Sequence, residues 1–367
     1  TAKSGTAITY TYYSTTNCTG TALSGAPTNV GNYSVKATSK GNTDYESGSI
    51  CVQHTITQGT PTISLDKKEA TYTGSQIVSN TATAKNPNGT AVTLSYTYTY
   101  YSGTSCSGTA LSGAPSIAGS YSVKATSTAT ANLKSATSSC VTHTINKISD
   151  TVTLSAVNTT YTGSAIGANT ATAKSGTAIT YTYYSTTNCT GTALSGAPTN
   201  VGNYSVKATS AGNTNYNSGS ACATHTITQG TPTISLTAKS ADYTGSAIVA
   251  NIATAKNPNG TAVTLSYTYT YYSGTSCSGT ALSGAPSIAG SYSVKATSTA
   301  TANLKSATSS CVTHTINKIS DTVTLSAVNT TYTGSAIGAN TATAKSGTAI
   351  TYTYYSTTNC TGTALSG

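Results

Sequence analysis

The sequence predicts an all-β chain of tandem antiparallel β-sandwiches that are arranged end to end as a rod. Three observations lead to this prediction: short stretches in which apolar and polar residues alternate, a pattern that repeats along the chain, and cysteines that recur in pairs. Alternation is typical of strands with one buried face. Many short strands separated by regular turn signals indicate a sandwich.

The alternation is clearest where tyrosine and threonine take turns along a stretch. Tyr96, Tyr98 and Tyr100 share one face of a predicted strand, and threonines occupy the other face. Because the chain has 27 tyrosines and no Phe, Trp or Met, tyrosine must supply the large core side chains, and each buried hydroxyl needs a partner. Tyr13 and Tyr101 fall on the face of the strand that threonines otherwise occupy, which we call the threonine phase, so we expect those two to be exposed.

Two periods organise the chain. The longer period is 171 residues, and residues 82–196 recur without a change as residues 253–367. Each long period contains two related modules of unequal length, and short junctions between modules predict a semi-rigid row of units about 35 Å long. The predicted modules, of which the first and last are partial, are 1–58, 59–147, 148–229, 230–318 and 319–367.

The partial first and last modules leave two interpretations open. In the first, the sequence is a window onto a longer tandem array. In the second, half-modules complete one another between subunits by strand donation, in which an extended segment of one chain adds to a sheet of another.

Nine cysteines accompany the modules, and their spacing of 33 or 34 residues predicts one disulfide within each module. Cys360 would then find its partner outside this sequence. An alternative pairing joins Cys51 to Cys106 across a module junction. Disulfides of either kind indicate an oxidising, extracytoplasmic compartment. The predicted pairs are Cys18–Cys51, Cys106–Cys140, Cys189–Cys222 and Cys277–Cys311.

A Cys-x-x-His pattern recurs at the second cysteine of each pair, with histidines at positions 54, 143, 225 and 314. Residues three apart on a strand point to opposite faces, so the cysteine and the histidine cannot bind one metal ion. We therefore predict no metal site and no cofactor. Each histidine is expected at the edge of the core, hydrogen-bonded to a neighbour.

Catalytic groups are scarce in this sequence. The segment 148–229 contains a single acid, Asp150. A second carboxylate for glycoside hydrolysis is missing, and no further acid is left to orient His225 in a catalytic triad. An isopeptide bond at Lys174 or Lys207 would also need a buried acid beside the lysine. The sequence thus predicts a non-enzymatic protein without catalytic residues.

The charge pattern narrows the choice of partners. The net charge is +10, but charged residues make up only 7% of the chain, against about 25% on average. Arginine is absent and the lysines are isolated, which argues against nucleic-acid binding. No apolar stretch is long enough to span a membrane. Four lysines lie on the solvent phase of a strand, where they protect sheet edges or attract acidic polysaccharide: Lys36, Lys124, Lys207 and Lys295.

Several short motifs resemble bacterial Ig-like repeats of the MBG type, and the resemblance extends over every module. In residues 148–229 the motifs are Tyr161-Thr-Gly-Ser-Ala-Ile166, Gly202-Asn-Tyr-Ser-Val-Lys-Ala-Thr209, Asn213-Thr-Asn-Tyr216 and His225-Thr-Ile227.

The resemblance implies Ig-like sandwiches in tandem copies on large secreted or surface-anchored proteins, often adhesins. It also implies a corner tyrosine in each module, whose hydroxyl bonds back to the backbone. The paired cysteines depart from the family pattern. The corner positions would be Tyr33, Tyr121, Tyr204 and Tyr292.

The sequence therefore predicts a disulfide-stabilised structural segment of an extracellular filament or cell-surface adhesin stalk. Its expected partners are neighbouring modules of the same chain and, in a fibre or bundle, identical chains. The alternative function is a set of adhesive modules that bind glycans or the cell surface through exposed tyrosines such as Tyr13 and Tyr101.

Overall fold

A computed structural model describes residues 1–366 of the chain. These residues form 27 β-strands, and no helix occurs among them. The prediction of an all-β chain is therefore confirmed. The strands are short because glycine, proline and asparagine turns interrupt the Thr- and Tyr-rich runs that favour an extended backbone.

Residues 1–58 contribute one three-stranded sheet. Its antiparallel strands lie in chain order and are β1 (Ile8–Tyr13), β2 (Gly31–Ser39) and β3 (Gly48–Ile56). Tyr10, Ile50 and Val52 are exposed, because no second sheet covers this one among residues 1–366.

Residues 59–147 form two facing sheets. Their strands are β4 (Thr62–Ser64), β5 (Lys68–Thr71), β6 (Thr83–Lys85), β7 (Ala91–Val92), β8 (Tyr96–Ser102), β9 (Gly119–Ser127) and β10 (Val141–Asn146). The smaller sheet has the order β4-β6-β7 and the larger has the order β5-β10-β9-β8. A tight turn joins β6 to β7, where Gly89 has a φ of 87° that other residues rarely adopt.

The core of this sandwich lies between the two sheets. Ile63 and Ala84 come from the smaller sheet, and Val123 and Ala125 come from the middle of the larger one. Tyr100 adds the largest buried side chain of the cluster. The inward residues are separated by single polar residues, as the alternating sequence predicts.

The larger sheet is not wholly antiparallel, which corrects one detail of the predicted sandwich. β5 runs parallel to β10, with Lys68 opposite His143 and Thr71 opposite Asn146. The other pairs in this sheet are antiparallel. Alternating sequence patterns indicate which face of a strand is buried but carry no information about the direction of its neighbour.

Residues 148–229 contain eight strands: β11 (Ile148–Ser149), β12 (Val152–Thr153), β13 (Val157–Thr160), β14 (Thr172–Ala173), β15 (Ile179–Tyr184), β16 (Gly202–Ser210), β17 (Tyr216–Asn217) and β18 (Gly219–Thr228). β13 runs parallel to β18, with Val157 opposite His225. β12 pairs with β14, and β11 pairs with β17.

Residues 230–318 repeat the sandwich of 59–147 strand for strand. Their strands are β19 (Thr233–Ser235), β20 (Lys239–Asp242), β21 (Thr254–Lys256), β22 (Ala262–Val263), β23 (Tyr267–Ser273), β24 (Gly290–Ser298) and β25 (Val312–Asn317). The sheets have the orders β19-β21-β22 and β20-β25-β24-β23, and β20 runs parallel to β25.

The remaining described residues form β26 (Val323–Thr324) and β27 (Thr343–Ala344), which pair antiparallel. The chain falls into two compact units. The first contains residues 1–155, 169–182 and 206–223, and the second contains residues 156–168, 183–205 and the chain from Thr224 onward.

Candidate functional site: disulfide loops and module junctions

Cysteines whose pairing the sequence predicts are joined in the structure. Cys189 and Cys222 are disulfide-bonded. Cys360 is exposed and is the one cysteine of residues 1–366 outside a disulfide. Three further bonds have Cα atoms 5.9 or 6.0 Å apart: Cys18–Cys51, Cys106–Cys140 and Cys277–Cys311. A bond between Cys51 and Cys106 across a junction is therefore not formed.

A buried serine holds the loop that carries the first cysteine of each pair. Cys106 has a φ of 48°, in the left-handed region that costs energy for a residue with a side chain. Its backbone N–H donates to Ser122 Oγ at 2.8 Å, and Ser122 is fully buried. Other copies make the same bond at 2.7 or 2.8 Å: Cys18–Ser34, Cys189–Ser205 and Cys277–Ser293.

This serine is a functional residue that the alternation pattern does not reveal. Ser34 lies beside Lys36 on the face that the sequence assigns to solvent, yet its exposed fraction is 0%. The cysteine loop folds over that face, where Cys51 lies opposite Lys36 in the sheet. The available signal is the constant spacing of 16 residues between each loop cysteine and its serine.

The four predicted corner tyrosines each bond to the backbone four residues upstream. The hydroxyl of Tyr204 donates to the Asn200 carbonyl at 3.1 Å. Its ring lies over Gly202, where an added Cβ would come within 2.9 Å of the tyrosine oxygen. The Gly-x-Tyr motif thus places a tyrosine against bare backbone. The other three bonds are Tyr33 to Asn29, Tyr121 to Ile117 and Tyr292 to Ile288.

A second set of tyrosines satisfies the backbone of an irregular segment from across the core. The hydroxyl of Tyr98 accepts the N–H of Ala82, and that of Tyr100 accepts the N–H of Ser79, both at 2.9 Å. These donors lie in the chain between β5 and β6, outside any strand. Tyrosine therefore replaces strand pairing for backbone groups that would otherwise be unsatisfied.

The expectation that Tyr13 and Tyr101 are exposed is wrong. Both side chains are half-buried. The backbone of Tyr13 bridges to Ala22, and that of Tyr101 bridges to Ala110. Ala22 and Ala110 belong to the cysteine loops, which therefore return along the edge of the strand that carries each tyrosine.

The expectation that each histidine sits at the core edge with a hydrogen-bonded neighbour is also wrong in three copies. His143, His225 and His314 are fully buried, and none of their ring nitrogens makes a hydrogen bond of standard geometry among residues 1–366. A weaker backbone hydrogen bond acts on His143 at Ile77 and on His314 at Ile248. Each packs edge-to-face on a core tyrosine instead. His54 is half-buried and packs on Tyr12 in the same way. The described residues contain no cluster of three or more metal-ligating side chains.

Asp150 has a structural position that its isolation in the sequence does not suggest. Its carboxylate accepts hydrogen bonds from the backbone N–H and the hydroxyl of Ser175 and from the hydroxyl of Ser210. Burial raises the pKa of this carboxyl, but the hydrogen bonds together outweigh burial and bring the pKa below its usual 3.8. The ionised carboxylate therefore ties the turn after β14 and the end of β16 to the start of the segment.

The lysines that the sequence assigns to the solvent phase lie half-buried on their strands. Lys174 is exposed, and its backbone N–H donates to Thr151. Half-buried lysines of this kind pack their aliphatic stems on the surface of the sheet. The half-buried lysines are Lys36, Lys124, Lys207 and Lys295.

An asparagine links consecutive predicted modules at two places in the chain. We call this contact the asparagine clasp. Asn132 donates through Nδ2 to Asn29 Oδ1 at 2.9 Å and accepts the N–H of Val30 through Oδ1 at 2.8 Å. Asn303 makes the equivalent bonds to Asn200 and Val201 at 3.0 and 2.9 Å.

A different set of contacts, which we call the tyrosine junction, links residues 59–147 to residues 148–229. Tyr72 packs edge-to-face on Tyr216, with ring centroids 5.6 Å apart. The N–H of Ala118 donates to Asn215 Oδ1 at 2.9 Å, and Lys147 Nζ donates to the carbonyl of Asn213 at 2.9 Å. The two kinds of junction alternate because two module types alternate in the sequence.

Comparison with known proteins gives one family match. Residues 150–231 match the MBG domain. The resemblance predicted from the sequence is therefore confirmed for this segment, which covers less than a quarter of the chain. No curated protein matches the chain.

Solved structures with similarity to this chain are tandem β-domain proteins. Drosophila N-cadherin EC1-4 is 13% identical, and the match covers 87% of this chain and 94% of that one, with a TM-score of 0.24. The insect immune protein hemolin is 10% identical over 87% and 93%, with a TM-score of 0.27. At such TM-scores neither structure supports an argument about module arrangement or function.

Proposed function

We propose that the chain is a non-enzymatic structural segment of an extracellular filament or of a cell-surface adhesin stalk. Its modules would be residues 1–58, 59–147, 148–229, 230–318 and 319–367, acting as spacers that behave as a semi-rigid rod. Neighbouring modules of the same chain would be the first partners, and identical chains in a fibre or bundle would be the next.

The asparagine clasp is the observation that carries this proposal. A flexible linker would leave the backbone and side-chain groups of Asn29, Val30 and Asn132 to water, whereas here they bond to one another across the boundary. Gln58 adds a bond from its side chain to the Thr130 carbonyl at 2.8 Å. A junction held by several short contacts transmits orientation and tension from one module to the next.

The disulfides support the same function through stability. The loop between Cys106 and Cys140 spans 34 residues. Closing a loop of this length contributes about 3.7 kcal/mol in the chain-entropy treatment, a large share of the roughly 5–15 kcal/mol of a typical domain. This contribution offsets a core that contains no Phe, Trp or Met. Bonds of this kind persist in oxidising compartments, which supports an extracellular or cell-surface location.

Two further observations concern membrane insertion and the glycan-binding alternative. No helix of the described residues is long and apolar enough to cross a membrane. The glycan-binding alternative is weakened, because its named contact residues Tyr13 and Tyr101 are half-buried. Saturable binding on a glycan array would restore that alternative, since a pure spacer has no saturable ligand.

Single-molecule force spectroscopy on the full chain tests the spacer function. The bond between Cys106 and Cys140, which are separated by 34 positions, keeps that stretch of residues 59–147 from extending, so a stretched module releases only about 55 residues. At roughly 3.5 Å per residue, and with about 35 Å already spanned by the folded module, we expect unfolding steps near 155 Å under oxidising conditions and near 275 Å after reduction. The steps should repeat once for each complete module.

A matched variant separates this reading from non-specific adhesion. In Cys106→Ser/Cys140→Ser, one step should lengthen while the steps of residues 148–229 and 230–318 stay short. A chain that extends without discrete force peaks, or whose steps ignore the reductant, would contradict a disulfide-clipped spacer.

A further inference from the structure

The last strand of each complete sandwich carries a histidine that the spacer function does not use. His143 lies on β10 and His314 on β25, and both have an exposed fraction of 0%. Each ring packs edge-to-face on a core tyrosine, with centroids 5.5 Å apart: Tyr100 for His143 and Tyr271 for His314. His225 on β18 packs on Tyr183 at 5.7 Å.

Neither nitrogen of these rings makes a hydrogen bond of standard geometry among the described residues, and the backbone groups of Ile77 and Ile248 give His143 and His314 only a weak partner. Buried polar groups without partners are uncommon, because each forgoes its bonds to water without replacement. A phenylalanine or leucine would fill the same space at lower cost. The buried imidazole therefore lowers the stability of the fold relative to an apolar side chain. The property that distinguishes it from such a side chain is that it takes up a proton near neutral pH.

The surroundings of each ring oppose the charged form. On β5, Lys68 lies directly opposite His143; on β9 the opposite residue is Tyr121, and on β8 the contact is Tyr100. The equivalent neighbours of His314 are Lys239, Tyr292 and Tyr271. His225 faces Val157 on β13, so this copy has no lysine at that position.

The direction of the proton linkage follows from these neighbours. Burial lowers the pKa of His143 below its usual 6.5 and the positive charge of Lys68 lowers it further, while a weak backbone hydrogen bond with Ile77 raises it without reversing the shift. Burial and Lys239 act in the same way on the pKa of His314, where the backbone of Ile248 opposes them. Burial alone lowers the pKa of His225.

We propose that these histidines make the sandwiches acid-labile: proton uptake ejects the imidazole from the core and detaches the last strand from its parallel partner strand. Detachment separates β10 from β5, β25 from β20 and β18 from β13. This opening would loosen each sandwich in acidified surroundings while leaving its disulfide intact. The inference is independent of whether the chain serves as a stalk.

The difference in proton binding between the folded and unfolded histidine determines how much stability is lost and over which pH range. An unfolded histidine takes up its proton near pH 6.5, whereas the folded one resists it, so stability falls as pH drops below 6.5. Each buried histidine then lowers the folding constant of its sandwich about tenfold per pH unit, until the folded pKa is reached. Acidic side chains remain ionised above pH about 5, which keeps their titration separate.

Hydrogen exchange with mass spectrometry on the oxidised full chain tests the proposal between pH 7.5 and 5. Peptides covering β5 (Lys68–Thr71) and β20 (Lys239–Asp242) differ in sequence, so they report the two sandwiches separately. After correction for intrinsic exchange, we expect opening of both strands to rise about tenfold per pH unit below 6.5. Protection that does not depend on pH would overturn the proposal.

The variant His143→Phe removes the titrating group and keeps an aromatic ring on Tyr100. Acid-dependent opening should then disappear from β5 and persist in β20, which serves as the control within the same molecule. Equal acid sensitivity in both strands would overturn the role of His143. If His143→Phe fails to fold, Lys68→Gln replaces it, and the expected result is a smaller loss of protection at pH 5 in β5 than in β20.

Discussion

Asn132 donates to the side-chain oxygen of Asn29 at 2.9 Å, although the two residues are 103 positions apart in the sequence. The same amide group accepts the N–H of Val30, so both of its polar ends are engaged across a module boundary. One short side chain thus links two predicted modules. The equivalent clasp at Asn303 shows that this bond belongs to the junction type and recurs with it.

The substitution Asn303→Ala should loosen the junction without unfolding either neighbour. Alanine removes two hydrogen bonds in a partly exposed setting, which together contribute about 1–2 kcal/mol. We expect faster hydrogen exchange at Val201 and easier proteolytic cleavage near Gln229, with little change in the unfolding midpoint of residues 230–318.

Asn88→Ala is the matched control, because the side chain of Asn88 bonds to Thr90 within its own turn. This variant should leave exchange at Val201 unchanged. Equal effects of the two substitutions would show that the clasp is not a distinct link between modules.

The overall architecture was predictable from the sequence because its causes are local. Alternation along Tyr96–Ser102 identifies a strand with one buried face, and the 171-residue period identifies repeated units. The parallel partner of β10 was not predictable in the same way. Strand direction depends on how the chain crosses between the two sheets, and the sequence of β5 does not indicate that crossing.

The site was predictable only where a motif encodes its own contact. Gly202 and Tyr204 are two residues apart, so their packing follows from the motif. The burial of Ser122 depends on a loop folding over the outer face of the sheet, and the burial of Asp150 depends on β14 and β16 meeting beside it. A single-strand alternation pattern contains neither of these long-range contacts.

Ser122→Ala should destabilise residues 59–147 by about 1–3 kcal/mol. The change leaves the N–H of Cys106 buried without its acceptor, at a backbone position that is already strained. Urea unfolding of the full chain, followed by proteolysis of the unfolded fraction, would measure the loss. Ser120→Ala is the control, because Ser120 is exposed on the same strand and should cost little.

Gly202→Ala should destabilise its module by about 1–3 kcal/mol, since the new methyl group would overlap the ring of Tyr204. Gly196 provides the comparison. A Cβ at that position meets no heavy atom within 4 Å, so Gly196→Ala should be neutral or slightly stabilising. Thermal unfolding of both variants would distinguish a packing effect from a general intolerance of alanine, which would lower both midpoints equally.

Asp150→Asn should change how the stability of residues 148–229 depends on acid. The carboxylate accepts bonds from Ser175 and Ser210, and its pKa lies below the usual 3.8. A group with a lowered pKa stabilises the fold above the unfolded value and loses that contribution as pH falls through the folded value. The wild-type chain should therefore lose stability below pH about 4, whereas the variant should start less stable and lose less over the same range.

Urea midpoints measured between pH 6 and 2.5 would show this difference in slope. Asp66→Asn supplies the control, because Asp66 is exposed and should leave the acid dependence of residues 148–229 as it is in the wild type. Parallel curves for the wild type and Asp150→Asn would mean that the serine bonds do not favour the ionised form. In that case the contribution of the buried carboxyl to stability would not depend on its charge.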